Sequence, residues 1–111
     1  IVLHLHANYG VVLRRIGGES VSLAEHEDWP APGEPTAERW TAVVAALRAV
    51  NAHMRDTVAK FDPALLDQQL VPRPPYPAYL QFIGLSQHDC YHAGQIALLR
   101  RALEQEPGER A

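Results

Sequence analysis

The sequence predicts an all-α protein built from a few long helices. Three observations carry this reading. Apolar residues recur at three- and four-residue spacing in separate stretches, no stretch alternates apolar and polar residues as a strand would, and glycine and proline clusters fall between the periodic stretches. The 111 residues, 47% hydrophobic and 21% charged, suit a single domain over residues 1–111, with helices long enough for a bundle.

The first helix is expected over Val2–Ile16, where Leu5, Tyr9, Val12 and Ile16 share one face and Gly17-Gly18 stops the run. From Glu19 to Pro35 the periodicity gives way to Ser, acidic residues, Pro and Gly, including the stretch EDWPAPGEP. Trp29 makes this an ordered loop, because so large an apolar surface is seldom left idle. Thr36 is an N-cap for the second helix, whose stripe runs Trp40, Val44, Leu47, Asn51, Met54, Val58 and Phe61. Asp62-Pro63 opens a single helical turn, and the four prolines between Pro72 and Pro77 force extended backbone that carries the chain across the molecule. Pro77 suits a first helical position, and Ala78 to Glu104 forms the last helix, with EPGERA as a frayed tail.

Composition limits the partners. A net charge of −3 with no basic run excludes a surface built for nucleic acid. No apolar stretch approaches the ~20 residues of a membrane span, and the start lacks the layout of a secretory signal, so a cytoplasmic protein is expected. One cysteine, Cys90, excludes an internal disulfide. The chain opens directly in IVLHLHANYG, with no initiator Met, cap or lead-in turn, so preceding residues, a whole helix among them, are expected.

The chemistry concentrates in QHDCYHAGQIALLRR, residues 87–101. On a helical wheel Leu85, His88, His92, Ile96, Leu99 and Leu103 fall within roughly 80° of one another, so both histidines face the core. Two imidazoles on adjacent turns are a costly way to fill apolar space, because every ring nitrogen needs a partner. A divalent cation relieves that cost, since residues four apart lie one above the other and can converge on one ion. The competing reading is a pair of core histidines satisfied by side chains or buried water. A third ligand would come from His4 or His6, which point about 200° apart and so cannot both face inwards. The wheel of the first segment leans towards His6. His26, in the acidic loop, and His53, beside the Asn51 and Met54 stripe, read as surface residues.

HDCYHAGQIALLRR, together with IVLHLHANYGVVLRRIGGE and EDWPAPGEP, resembles the DinB/YfiT-like family over essentially the whole chain. The resemblance implies a four-helix bundle of the DinB/YfiT-like type, with its first helix lying ahead of Ile1. It also implies a divalent metal site of three histidines, one from the second helix of the family and two from the fourth. The family's upstream histidine follows an apolar pair and precedes an Arg-rich end, which falls on His4, so the implied ligands are His4, His88 and His92, with His6 as fallback. Three neutral imidazoles leave an open coordination position, the layout of a catalytic site, which can acidify water or a thiol. Zinc and nickel suit such ligands, and iron does too. Known family activities imply a small-molecule substrate: a metal-dependent S-transferase or isomerase working with a low-molecular-weight thiol, or a hydrolase.

Supporting roles follow from the wheel. Asp89 and Gln95 flank the histidine face, where they either orient a ligand imidazole or are simply solvated. Gly94 is expected to permit close helix contact and Tyr91 to cap a neighbouring helix. Cys90 points away from the histidines. Arg100 and Arg101 read as a solvated helix end, and Glu25, Glu27 and Asp28 as a wet acidic loop. An alternative to the enzyme is a non-catalytic, metal-binding, dimerising bundle, because the Trp40 stripe and His88 face invite a homodimer. Bis-histidine haem ligation is disfavoured by histidines on adjacent turns of one helix.

Overall fold

The computed structural model describes residues 1–105. Helix α1 spans Val2–Ile16, a single turn α2 spans Glu25–Asp28, α3 spans Ala37–Ala59 and α4 spans Ala78–Glu104, with a 3-10 turn at Pro63–Leu65. No strand occurs among the described residues, only an isolated bridge between Gln69 and Pro77. The terminal EPGERA, expected as a frayed tail, lies outside the described residues.

Local chemistry sets the boundaries. At the end of α1, Gly18 takes φ +95°, a left-handed value open to glycine, and lets Glu19 N–H reach back to the Arg14 carbonyl at 3.1 Å. Thr36 caps α3 by accepting from Arg39 N–H at 3.1 Å. Asp62 does the same for the 3-10 turn through Ala64 N–H at 3.0 Å. Pro77 stands one position earlier than expected, as the extended residue before α4. Two donors of the first turn of α4 are satisfied by the preceding loop instead of a side chain: Ala78 N–H by Gln68 O at 2.8 Å, and Tyr79 N–H by Leu66 O at 3.0 Å.

Helix α1 is the centre of the arrangement and packs against both α3 and α4. It runs antiparallel to α4, as the pairs His4–His88 and Arg15–Gln81 require. It runs in the same direction as α3: Trp40, near the start of α3, shares a cavity with Ile1, Val2 and Leu3, and Asn51 further along meets Tyr9. The long segment between Ile16 and Ala37 makes this possible by carrying the chain back along α1. Tyr9, Val12, Met54 and Leu85 form the buried centre, with Leu47, Val50 and Phe82 packed around it.

The core is thin, and both long apolar stripes are only partly covered. Along α4, Leu85 is buried but Ile96, Leu99 and Leu103 are 39%, 55% and 82% exposed, because this end of the helix runs past the first residues of α1. Along α3, Met54 is buried while Val58 is exposed on an open groove of about 760 Å³ towards Phe82 and Ile83, and Trp40 is exposed at the other end, on a cavity shared with Ile96 and Leu99.

One polar knot joins all three long helices. The Tyr9 hydroxyl donates to Asp89 Oδ2 and accepts from Asn51 Nδ2 at 2.9 Å, while Asp89 Oδ1 is buried with no partner among the described residues. Burial, and then the bond to Asp89, pushes the Tyr9 hydroxyl up to about 12. Tyr9→Phe leaves the whole Asp89 carboxylate without a donor. It is expected to destabilise the fold by about 1–3 kcal/mol, measured as a drop in the urea midpoint at unchanged m-value.

Candidate metal centre

His4 stands near the start of α1, and His88 and His92 on successive turns of α4. His4 and His92 are 6% and 4% exposed, and His88 is half-buried. Their Nε2 atoms converge: His4 to His88 is 2.9 Å and His92 to His88 is 3.0 Å, and one ligating atom from each of the three lies within 4.8 Å of the others. Among the described residues this is the one group of three His, Cys, Asp or Glu side chains so placed.

The opposite nitrogens explain why the rings turn inward. His4 Nδ1–H donates to the Asp28 backbone carbonyl at 2.8 Å, with Asp28 Oδ1 at 3.0 Å. Asn8, one turn along, donates to the His4 carbonyl and to Asp28 Oδ1, each at 2.9 Å. Both amide hydrogens are thereby committed, so its 3.4 Å approach to His4 Nδ1 is a contact between donors and not a bond. Trp29 lies flat on the His4 ring, with centroids 3.7 Å apart and planes 2° from parallel. On α4, His92 Nδ1–H donates to Gln95 Oε1 at 2.6 Å, and Gln95 Nε2 donates to the Tyr91 hydroxyl at 3.3 Å.

A proton count follows from these bonds. With Nδ1 protonated, the Nε2 atoms of neutral His4 and His92 are bare lone pairs. His88 Nε2 stands close to both and carries at most one proton. One of the two close nitrogen pairs therefore has no hydrogen between its members, and facing lone pairs away from water are costly. Nitrogens bonded at about 2.0–2.1 Å to one divalent ion stand roughly 3–4 Å apart, and the His4–His88 and His88–His92 separations of 2.9 and 3.0 Å lie at that spacing. Rings whose Nδ1–H is held by carbonyl oxygen are oriented as metal-ligating imidazoles usually are. The three histidines fit a divalent ion. Burial, followed by the nearness of His92 and His4, holds His88 below its ordinary value of 6.5, which favours the neutral form that ligation needs.

A cavity of about 390 Å³ reaches His88 and Asp28 between α1, α4 and the return loop. Val11, Val12 and Leu85 give it an apolar wall.

His4, not the His6 favoured by the wheel, joins His88 and His92, because the return loop meets the His4 side of α1 with Trp29 and Asp28. His6 is half-buried outside the cluster, and His26 and His53 are exposed. Gln95 does orient an imidazole, whereas Asp89 turns to Tyr9. Tyr91 does not cap a neighbouring helix: it is 65% exposed, and its ring stands edge-on to His92 at 5.1 Å. Gly94 faces open space, so it permits no helix contact. Cys90 is exposed, and Arg100 is tied to Glu104 at 2.7 Å on the helix surface. Asp28 is the main correction to the wet-loop reading, since it holds His4 and Asn8. Asn8 also escaped sequence reading, although its place four residues after His4 is the signal that would have found it.

No family model matches the chain, and neither does any curated protein or solved structure compared with it.

Because His88 has a lower pKa folded than unfolded, the unfolded chain takes up this proton more readily. The stability this gives is complete above 6.5 and is lost as pH falls through the lowered folded value. The thermal midpoint of the metal-free protein is expected to fall between about pH 7 and pH 5, and His88→Gln to fall less steeply over the same range. Parallel curves for the two proteins would contradict the assignment.

Proposed function

We propose that the protein is a divalent-metal protein of the DinB/YfiT-like type, in which His4, His88 and His92 hold one zinc or nickel ion, or iron. Its reaction is that of a metal-dependent thiol S-transferase or hydrolase on a small molecule. The observation that carries this reading is the convergence of three Nε2 atoms, with the opposite ring nitrogens of His4 and His92 held by Asp28 and Gln95. When bound, the ion supplies Lewis acidity, because three neutral imidazoles leave its charge uncompensated and a position open to a thiol or water. The chain supplies the rest. Asp28 and Gln95 fix two ring tautomers, Trp29 shields the His4 face, and the cavity beside His88 admits a small ligand. Asp28 lines the same cavity, and its carboxylate, which also holds His4 and Asn8, is the acid–base group on hand.

A second reading, a metal-tied dimerising bundle without catalysis, is favoured by the exposure of Trp40, Leu99 and Leu103. Sedimentation with and without metal separates the two: a dimer that forms only with metal supports association as the role.

Protein dialysed against zinc is expected to retain about one ion per chain. His4→Ala and His92→Ala should lose the ion and His6→Ala should keep it, as read by elemental analysis. Gln95→Ala should weaken zinc binding by roughly 10–100-fold. In a Trp40→Phe background, nickel should quench Trp29 emission, since that indole lies on His4. Undiminished metal content in both His4→Ala and His92→Ala would reject the proposal.

A further inference from the structure

The cavity beside His88 has a second chemical end. Arg15, on the same face of α1, lines it and is half-buried. Its guanidinium donates through Nε and one Nη to the Val21 carbonyl at 3.0 and 2.9 Å, and through the other Nη to Gln81 Oε1 at 3.1 Å. A guanidinium has five N–H groups, so three bonds leave one N–H on each Nη. Its acceptors are neutral, and no carboxylate lies within ion-pair distance of it among the described residues. The adjacent Arg14 shows the contrast, since it turns to solvent and pairs with Glu19. Arg15 is held inside by a carbonyl and an amide with its charge uncompensated, an arrangement costly in itself and suited to receiving an anion.

Its position relative to the histidines is set by the helices. Arg15 meets Gln81 and His4 meets His88, seven residues further along α4, so the two levels are separated by about 10 Å at the helical rise. The apolar wall of Val12 and Leu85 lies on the same cavity. Among the chain's own charged groups on this cavity, Asp28 stands at the histidine end and Arg15 at the other, so Arg15 is the side chain that can receive a carboxylate while the far end of the ligand meets the ion.

We infer that this cavity receives a small carboxylate whose acid group docks on Arg15 while its other end reaches the histidine cluster. The inference rests on the metal reading above and adds the substrate class: an acid with an apolar spacer and a metal-seeking group at the far end. Arg15 is a binding residue here, and its tether to Val21 keeps the fork pointed into the cavity.

The test uses the full chain loaded with cobalt(II), whose thiolate charge-transfer absorption reports a thiol arriving at the ion. Metal content is measured first. The probes are 3-mercaptopropionate, 4-mercaptobutyrate and 6-mercaptohexanoate, each against the mercapto-alcohol of equal length. At least one acid is expected to bind roughly tenfold to a hundredfold tighter than its alcohol. Arg15→Gln should remove the preference at unchanged cobalt content. Ser22→Glu should remove it too, because residue 22 lines the cavity and the new acid occupies Arg15 while its tether stays in place. Should Arg15→Gln fail to fold, Ser22→Glu decides alone. Equal affinity for acids and alcohols, or no thiol signal from a cobalt-loaded chain, or a preference that survives substitution, overturns the carboxylate inference and leaves the metal reading standing. A chain that takes up no cobalt overturns the metal reading, and this inference with it.

Discussion

The hydrogen bond from His4 Nδ1 to the Asp28 carbonyl is the joint on which the site turns. It fixes the tautomer of one ring, and with it where a lone pair points. It also fastens the return loop to α1, together with Trp29 stacked on the same imidazole. That loop is the reason α3 can run in the direction of α1, and the reason a cavity exists between α1, α4 and residues 22 to 28. A single donor–acceptor pair therefore links local protonation to chain topology. Packing alone would hold this arrangement weakly, because the apolar centre consists of few side chains.

Helix boundaries were legible because they are local. Gly17-Gly18, Thr36 and Asp62 act on the nearest turn, and the elements begin and end where these residues place them. Two of the three clustered histidines were legible for the same reason, since a spacing of four fixes a shared face before any tertiary structure exists. The third was not. Which of His4 and His6 turns inward depends on where the return loop lands, and a wheel drawn on α1 alone carries no such information. Asp28 was misread because an acidic loop residue looks solvated until its carbonyl is seen against an imidazole. The covered part of each stripe was equally opaque: Leu85 and Leu103 look alike in sequence, and only the position of α1 separates them.

Two polar groupings share α4 and serve different ends. His88 and its neighbour Asp89 diverge, the imidazole towards His4 and the carboxylate towards Tyr9 and Asn51. The second grouping bonds to all three long helices and keeps α4 rotated so that the first faces the return loop. A carboxylate with one buried oxygen unpartnered among the described residues is an expensive device, but it fixes rotation more sharply than an apolar contact does. The open grooves on either flank leave the bundle few other means of setting that angle.

His4 and His88 are 84 positions apart. Anything that grips both rings closes a ring of chain of that size. In a disordered polypeptide the entropy removed by such a closure approaches that of a covalent cross-link, on the order of 4 kcal/mol. An ion shared by the two would act as a reversible staple, and its release would return that entropy to the unfolded chain. Starvation for metal would then shorten the lifetime of the molecule in the cell through proteolysis, quite apart from any effect on chemistry.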